Sequence, residues 1–232
     1  MLKPVTVIVP VYNEEKTLGE ILERIFISNE VDKIEIVDDG STDNSLKIAK
    51  GMSKKAAKYG KEVVVIHKNK NEGKGAALQR GLSTIKKGTV IIQDVDLEYF
   101  PEDYPKLLSA LAQGEVVFGN RFAGRNEGHR YILADLGNRF VSFVFDLLFS
   151  QKIHDINVGL KAFKISALKN TKLKEKGFLI EEELSVTFAN KGIKILEVPI
   201  RYKGRTFKQG KKIKMKDGIN GLVYILKRRF IA

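Results

Sequence analysis

The sequence predicts an α/β fold in which helices flank a mostly parallel β-sheet. Across residues 1–100, short β-branched runs alternate with longer segments that have the spacing of amphipathic helices. Strands joined through helices in this way pair in parallel, with right-handed crossovers. The chain has 232 residues and no cysteine, so its core must be stable without disulfides.

The elements of the first half follow from their own residues. The run Val5–Val11 is rich in β-branched residues, as is typical of a strand buried on both faces. Residues 14–27 place Leu18 and Ile25 at helical spacing, and residues 41–59 open with residues that favour a helix N-cap. The other elements predicted here are strands at residues 34–37, 63–66, 90–92 and 116–119 and a helix at residues 75–86.

The second half is less regular. Residues 131–149 are rich in Phe and Leu over more of the helical circumference than a surface helix needs. No internal repeat or low-complexity linker interrupts the chain, which predicts one domain over residues 1–232. The other elements predicted here are a turn at residues 155–159, helices at 165–173, 180–190 and 219–230, and a strand at 193–202.

The charge of the chain is unevenly distributed. The formal net charge is +13, and residues 201–232 contain 11 of the 41 Lys and Arg residues against a single acid, Asp217. Such a segment suits nucleic acid, an anionic membrane or an acidic substrate. Because residues 1–200 are nearly neutral and contain no recognised nucleic-acid module, a nucleic-acid-binding protein is the distant alternative.

Composition also excludes several classes of site. Without cysteine, the chain has no thiolate nucleophile and no cysteine-ligated zinc or iron–sulfur site, and it fits a reducing compartment. The longest stretch without a charged residue, residues 4–13, is ten residues long. A membrane-spanning helix needs about 20 apolar residues. We therefore expect no processed leader, no membrane span and a cytoplasmic protein.

Polar residues follow five predicted strands at the point where each strand ends. Ligands of open α/β sheets bind outside the carboxyl ends of the strands. We therefore expect a single site at this edge. The segments that contribute to it are Tyr12-Asn13-Glu14, Asp38-Asp39-Gly40, Gly73-Lys74-Gly75, Asp94-x-Asp96 and Asn120-Arg121.

Asp94 and Asp96 are candidate metal ligands. Two carboxylates two residues apart at a strand end can share a hard divalent cation such as Mg²⁺ or Mn²⁺, which also binds phosphate oxygens. Glu98 would add a third oxygen ligand. The competing interpretation is a solvated acidic loop without a metal.

Asp39 is a candidate nucleotide ligand, because a carboxylate accepts hydrogen bonds from a base N–H or from ribose hydroxyls. The same segment also has the features of a helix start. Gly40 suits a turn with positive φ, and Ser41 or Asp43 suits an N-cap, so both interpretations can hold together. Lys74 lies in a Gly-Lys-Gly sequence that lacks the P-loop spacing and also fits a plain strand-to-helix turn.

In their order and spacing, these motifs resemble the family 2 glycosyltransferases, which have the Rossmann-like GT-A fold. The resemblance depends on Pro10-x-Tyr12-Asn13-Glu14, Asp38-Asp39-Gly40-Ser41-x-Asp43, Asn71-x-Gly73-Lys74-Gly75 and Asp94-x-Asp96. The second half is similar to the polyprenyl-phosphate sugar transferases, among them the dolichyl-phosphate mannose and glucose synthases. The similar segments there are Gly119-Asn120-Arg121-Phe122, Asp155, Val198-Pro199-Ile200, Arg205 and Gly210-Lys211-Lys212.

The resemblance implies that residues 1–120 bind a nucleotide sugar, either a UDP-hexose or a GDP-hexose. Glu14 would contact the ribose and Asp39 the base. Mg²⁺ or Mn²⁺ would be held by Asp94, Asp96 and Glu98. The implied nucleotide-sugar contacts are Pro10, Tyr12, Glu14, Val37, Asp39, Lys74, Asp94, Val95 and Asp96, and the implied catalytic residues are Asp94, Asp96 and Arg205.

The resemblance also implies that residues 121–232 bind the acceptor. This half would contain a basic loop, residues 203–216, that closes over phosphates, and an amphipathic helix, residues 217–231. The implied phosphate contacts are Arg121, Arg130, Arg205 and either Lys211 or Lys212.

The implied reaction is metal-dependent, inverting transfer of a hexose to a polyprenyl phosphate of the dolichyl type. A phosphate monoester has a second pKa of about 6, so it is largely dianionic at neutral pH and needs no general base. The alternative is a family 2 enzyme that acts on a saccharide, lipid or protein hydroxyl. That reaction needs a base, for which the candidates are Asp155, Glu181 and Glu183.

Two amphipathic segments favour a site at a membrane surface. The last predicted helix has basic residues 227–229 beside an apolar face, as interfacial helices do, although packing onto the domain accounts for that face equally well. We expect a peripheral protein on the cytoplasmic face of a membrane, with a small anchoring subunit as a candidate partner. In the helix at 131–149 we expect about half of Phe140, Phe143, Val144, Leu147 and Leu148 in the core, and Phe145 or Phe149 facing lipid.

Overall fold

A seven-stranded sheet forms the centre of the protein in a computed structural model that describes residues 2–129, 131–206 and 215–231. The strand order is β3-β2-β1-β4-β7-β5-β8. The strands are β1 Val5–Val11, β2 Lys33–Asp38, β3 Glu62–His67, β4 Thr89–Ile92, β5 Val116–Asn120, β6 Asn126–Gly128, β7 Lys161–Lys164, β8 Ile195–Pro199 and β9 Tyr202–Gly204. The helices are α1 Leu18–Ile27, α2 Ser45–Ala56, α3 Lys74–Leu82, α4 Tyr104–Leu111, α5 Ile132–Phe149, α6 Ile180–Asn190 and α7 Met215–Phe230.

The predicted mostly parallel sheet is confirmed. Strands β1 to β4 are parallel to one another, with β1 between β2 and β4. All seven residues of β1 are buried, as expected for a strand covered on both faces. Strand β7 is antiparallel to both of its neighbours, β4 and β5. Outside this sheet, β6 and β9 form a separate parallel pair.

Two helices begin later than the sequence predicts, because polar side chains connect the loops that precede them. Asn13 has a φ of 53°, and its backbone N–H donates to Ser41 Oγ at 3.0 Å. The N–H of Glu14 donates to Ser45 Oγ at 2.8 Å. These contacts hold the chain after β1 against the chain after β2, so α1 begins only at Leu18 and α2 only at Ser45.

The elements predicted after residue 100 need several corrections. The helix predicted over residues 165–173 is wrong, since a single 3₁₀ turn, Ile165–Leu168, is present and Asn170 has a φ of 59°. Strand β7 was not predicted, because it is only four residues long and begins with a buried lysine, Lys161. Helix α4 was also not predicted.

Helix α5 meets the expectation for its apolar side chains in part, since Phe140, Phe143 and Leu147 are exposed and Leu148 packs against the core. Phe145 has no exposed surface, and its ring stacks on Phe149 with centroids 4.9 Å apart. The expectation that one of these two faces lipid is therefore wrong for Phe145, and Phe149 is partly buried against the core. The large apolar side chains exposed on α5 are Ile132, Leu133, Leu136, Phe140, Phe143 and Leu147.

Helix α7 packs on α5 and α6 and is also exposed on one side. Ile225 is fully buried and Leu222 is partly buried against the core, so packing accounts for part of its apolar face. The rest is open to solvent, including Ile219, Val223, Leu226 and Phe230. In the part of the chain that the structure describes, no helix has the combination of length and hydropathy that a membrane crossing requires.

Candidate functional site

The candidate site is the carboxyl edge of the parallel strands, to which the sequence assigns the polar residues described above. Pro10 and Val37 are register partners on β1 and β2, and both are buried. Tyr12 is half-buried just beyond β1. Beside it, Glu14 accepts a hydrogen bond from the Thr17 hydroxyl at 3.1 Å. These residues form one wall of the edge on which the charged residues of the site converge.

Asp39 fixes the loop that leads into α3. Its carboxylate accepts the backbone N–H of Gly73 at 2.7 Å and that of Glu72 at 3.1 Å, and it lies 2.5 Å from Nζ of Lys68. The predicted turn is confirmed as well, since Gly40 has a φ of 71°. Asp39 is therefore placed and held at the end of β2, and its contact with a nucleotide base stays a prediction.

The prediction that Ser41 or Asp43 is the N-cap of the following helix needs a correction, because the N-cap of α2 is Asn44, whose side chain makes no capping bond. Asp43 Oδ1 accepts, at 2.9 Å, the backbone N–H of Ser45, the first residue of α2. Ser41 is used differently, because its hydroxyl accepts the N–H of Asn13. Asp43 therefore supports the first residue of α2 without being its N-cap, and Ser41 joins the loops after β1 and β2.

Lys74 and Asp94 form an ion pair at the first turn of α3. Nζ of Lys74 lies 2.6 Å from Asp94 Oδ1 and 2.8 Å from Glu181 Oε1. Burial acts to lower the pKa of Lys74, but the two carboxylates outweigh it and raise that pKa above its usual value. Asp94 also lies against backbone, because a Cβ at Gly159 would stand 2.1 Å from Asp94 Oδ2. Val95, the next residue, is buried.

Asp96 and Glu98 both contact Arg205. Nη2 of Arg205 lies 2.5 Å from Asp96 Oδ2, and its backbone N–H donates to Glu98 Oε1 at 2.9 Å. Tyr202 donates its hydroxyl to the other oxygen of Glu98 at 2.9 Å. Burial raises the pKa of Asp96 to about 7. The negative charges of Glu98 and Asp94 also raise this pKa, and the positive charge of Arg205 lowers it.

The residues present fit a divalent cation in part. The mutual repulsion of Asp94, Asp96 and Glu98 would be relieved by added positive charge, and carboxylate oxygens are the ligands that Mg²⁺ and Mn²⁺ prefer. Among the residues described, no three acidic or histidine side chains are grouped as a metal site. Asp94 and Asp96 would therefore supply two ligands, and phosphate oxygens and water suit the rest. Glu98 already has Tyr202 and Arg205 as partners, and its role as a third ligand stays a prediction.

Arg121 forms a bidentate ion pair with Asp155. Its Nε donates to Asp155 Oδ2 at 2.7 Å and its Nη2 to Oδ1 at 2.6 Å, and Asp155 is fully buried. The guanidinium also lies over the ring of Tyr202, 5.2 Å from the centroid. It is thus neither solvated nor unpaired, and its contact with an acceptor phosphate stays a prediction. Three further predicted phosphate ligands, Arg130, Lys211 and Lys212, lie outside the described residues.

Lys161 was not predicted from the sequence, although it contacts Glu181, a partner of Lys74 at the candidate site. It is fully buried on β7, and it donates to the carboxylate of Glu181 on α6. Burial lowers its pKa, while Glu181 acts in the opposite direction. The signal in the sequence is a lysine inside an otherwise apolar stretch, Val158 to Phe163, which usually indicates a buried partner of opposite charge.

The sequence matches known proteins over most of its length. The model of the family "Glycosyl transferase family 2" matches residues 6–171. Glycosyltransferase AglJ of Haloferax volcanii is 30% identical over 200 residues, which cover 85% of this chain and 62% of AglJ. An undecaprenyl-phosphate 4-deoxy-4-formamido-L-arabinose transferase of Edwardsiella ictaluri is 29% identical over 211 residues, 89% of this chain and 62% of the transferase. The chain therefore spans less than two thirds of the length of either relative.

The fold is also similar to that of a solved enzyme. Glucosyl-3-phosphoglycerate synthase of Mycobacterium tuberculosis superposes with a TM-score of 0.71 and 21% identity, over 97% of this chain and 79% of the synthase. That enzyme has been crystallised with UDP, and with UDP together with Mn²⁺ or Mg²⁺. At this identity the likeness shows the fold, and the predicted GT-A fold is confirmed.

Proposed function

The chain belongs to glycosyl transferase family 2, and on that premise we propose that it transfers a hexose from a nucleotide sugar to a polyprenyl phosphate at a membrane surface. Residues 1–120 would bind the donor and residues 121–232 the acceptor. The observation that carries the proposal is the meeting of two carboxylates, Asp94 and Asp96, with two cations, Lys74 and Arg205, at the carboxyl edge of the sheet.

This arrangement suits the departure of a nucleoside diphosphate. Asp94 and Asp96 would hold Mg²⁺ or Mn²⁺, which supplies positive charge to the diphosphate when bound. Lys74 is held by an ion pair with Asp94, and Arg205 by one with Asp96. Both cations therefore need little reorganisation to stabilise the charge that develops on the leaving group. Asp39 and Glu14, which follow β2 and β1 at the same edge of the sheet, would contact the base and the ribose of such a diphosphate.

The state of the three candidate bases favours a phosphate acceptor over a hydroxyl. Asp155 is paired with Arg121, Glu181 with Lys74 and Lys161, and Glu183 accepts the N–H groups of Lys174 and Glu175. Burial would raise the pKa of both Asp155 and Glu181, but their cationic partners outweigh it and hold each pKa below its usual value. Such carboxylates are weak bases. A dianionic phosphate does not need one, and it would invert the anomeric carbon in a single displacement.

The proposed activity is tested with the purified chain, labelled UDP-hexoses and GDP-hexoses, Mn²⁺ or Mg²⁺, and a short-chain polyprenyl phosphate. We expect a lipid-linked product from at least one donor. Asp96→Ala is expected to lower the rate by roughly 100-fold or more, since a ligand of the metal and the partner of Arg205 are lost together. Asp32→Ala, at the opposite end of β2, is the matched control and is expected to keep the rate. No product from any donor, or an unchanged rate in Asp96→Ala, would contradict the proposal.

The apolar side chains of α5 and α7 support a membrane surface as the place of the reaction. The two helices pack together and expose large apolar residues, a pattern that monomeric soluble proteins seldom show. Lys227, Arg228 and Arg229 lie on the last turn of α7, which suits anionic lipid headgroups. We name these exposed residues the α5–α7 face: Ile132, Leu133, Leu136, Phe140, Phe143, Leu147, Ile219, Val223, Leu226 and Phe230. The cytoplasmic side of the membrane and a small anchoring subunit stay predictions.

Membrane binding through this face predicts a large effect of acidic substitutions. Phe143→Asp with Leu147→Asp is expected to weaken co-sedimentation with vesicles of phosphatidylcholine and phosphatidylserine by roughly 100-fold, because two side chains that would enter the lipid become charged. Ile27→Asp is the matched control, since Ile27 is 68% exposed on α1. Equal binding by all three proteins would exclude the α5–α7 face as the contact.

A further inference from the structure

Lys161 is a fully buried charged residue that the proposed reaction does not use. Its side chain lies over the ring of Phe118, with Nζ 4.6 Å from the centroid. Nζ donates to the carbonyl oxygens of Ile156, at 3.2 Å, and Val158, and to Glu181 Oε2. All three hydrogens of the ammonium group therefore have an acceptor, which fixes the position of Glu181 as firmly as that of Lys161.

Glu181 connects this ammonium group to the proposed donor site. Its Oε2 accepts from Lys161, and its Oε1 lies 2.8 Å from Nζ of Lys74. Lys74 in turn lies 2.6 Å from Asp94 Oδ1. The four side chains form a row of alternating charge that runs from β7 to the end of β4. Within that row, the negative charge of Glu181 is divided between two lysines.

We propose that Lys161 is a positioning residue for Lys74: by sharing the charge of Glu181, it leaves Lys74 available to the diphosphate of the donor. The inference rests on the proposed function. Without Lys161, the full charge of Glu181 acts on Lys74 in a buried setting, where electrostatic attraction is stronger than in water. Lys74 is then drawn toward Glu181 and away from the edge of the sheet.

Lys161 also stabilises the loop before β7, and the test must separate this structural role from the positioning of Lys74. The carbonyls that it binds, those of Ile156 and Val158, lie between Asp155, which holds Arg121, and Gly159, which lies against Asp94. Loss of stability alone is therefore no proof of positioning. The two roles differ in one respect: positioning depends on the charge of Glu181, and the removal of that charge must restore the binding of a diphosphate.

The experiment measures the affinity of the full chain for UDP and for GDP, each with Mn²⁺, by titration calorimetry. Lys161→Met is expected to weaken binding of the preferred diphosphate about 10-fold, the effect of one lost charge-assisted contact. Glu181→Gln is expected to bind at least as tightly as the wild type, because Lys74 loses a competing carboxylate. The double variant K161M/E181Q is expected to return to within about twofold of the wild type.

Lys33→Met is the matched control. Lys33 lies 3.2 Å from the carboxylate of the fully buried Glu35, at the opposite end of β2 from the site. It is expected to lose thermal stability, as Lys161→Met does, and to keep the affinity for the diphosphate. Thermal unfolding of every variant is followed in parallel.

Several results would overturn the inference. One is a folded Lys161→Met that binds the diphosphate as the wild type does, and another is a double variant that binds no better than Lys161→Met. If Lys161→Met does not fold, weak binding by Glu181→Gln and by the double variant overturns it. A wild-type chain that binds neither UDP nor GDP contradicts the proposed function itself, and the inference fails with it.

Discussion

Replacing Arg121 by alanine is expected to lower the free energy of unfolding by roughly 3–5 kcal/mol at pH 7. Two nitrogens of Arg121 bind the two oxygens of the fully buried Asp155. Removal of one partner of such a pair leaves an uncompensated charge in the interior, which is the costly outcome. Urea unfolding of Arg121→Ala and of the wild type measures the difference.

The loss is expected to shrink as the pH falls. In the wild type, burial favours the neutral form of Asp155, but Arg121 outweighs it and holds the pKa below its usual value, so the stability that Asp155 contributes is lost only in acid. In Arg121→Ala, burial acts without that opposition, and Asp155 takes up a proton at a higher pH. The difference in stability between the two proteins is therefore smaller at pH 4 than at pH 7.

Arg125→Ala is the matched control for this prediction. Its side chain is 79% exposed in the same loop, and its loss is expected to change stability by no more than about 0.5 kcal/mol. If Arg121→Ala lowers the free energy of unfolding equally at pH 4 and pH 7, the unpaired carboxylate of Asp155 is not the cause of the loss.

The variant Glu182→Gln is expected to be more stable than the wild type above pH 7, by roughly 1–3 kcal/mol. Glu182 is 4% exposed, and burial raises its pKa to about 7. The negative charges of Glu181 and Asp217 also raise the pKa of Glu182, and the positive charge of Lys161 lowers it. The carboxylate packs so tightly beneath α7 that a Cβ at Gly221 would stand 2.1 Å from Oε1.

The sign of the pH dependence follows from the raised pKa of Glu182. Between about pH 4.5 and pH 7, the folded protein keeps a proton on Glu182 that the unfolded chain has lost. This contribution to the stability of the wild type therefore falls as the pH rises through that range. Glutamine has no proton to lose, so the advantage of Glu182→Gln grows from pH 5 to pH 8 in thermal unfolding.

Glu183→Gln is the matched control on the same helix. Glu183 accepts the backbone N–H groups of Lys174 and Glu175, each at 2.9 Å. A neutral side chain weakens these two bonds, so this variant is expected to lose stability at both pH values. An advantage of Glu182→Gln that is the same at pH 5 and pH 8 would show that the buried carboxyl does not titrate in this range.

The edge of the sheet that forms the candidate site was predictable because it depends on local pattern. Strand β1 has the bounds that its β-branched run predicts, and the sequence places Asp39 and Asp94 just after their strands. The parallel topology then brings the ends of neighbouring strands together without further information. A family resemblance added an expected ligand for each residue, but the predicted location of the candidate site did not depend on it.

The pairing of the charged side chains was not predictable, because the partners are distant in sequence. Arg121 and Asp155 are 34 residues apart, and Arg205 and Asp96 are 109 apart. The type and position of an arginine fit a phosphate ligand and an ion-pair partner equally well, and the fold decides which carboxylate it meets. Helix α5 presents the same difficulty, because its own apolar residues lie around most of its circumference. Their pattern does not distinguish the buried Phe145 from the exposed Phe143.

The place of β7 in the sheet makes the two proposed halves, residues 1–120 for the donor and 121–232 for the acceptor, inseparable. Strand β5 belongs to residues 1–120, but both of its neighbours, β7 and β8, come from later in the chain. β7 also covers the edge of β4, next to Asp94. A fragment that ended at residue 120 would leave β5 without a neighbouring strand and β4 with an open edge, so the two halves cannot be exchanged as independent modules. A new acceptor preference must therefore arise by substitution within a shared cooperative unit.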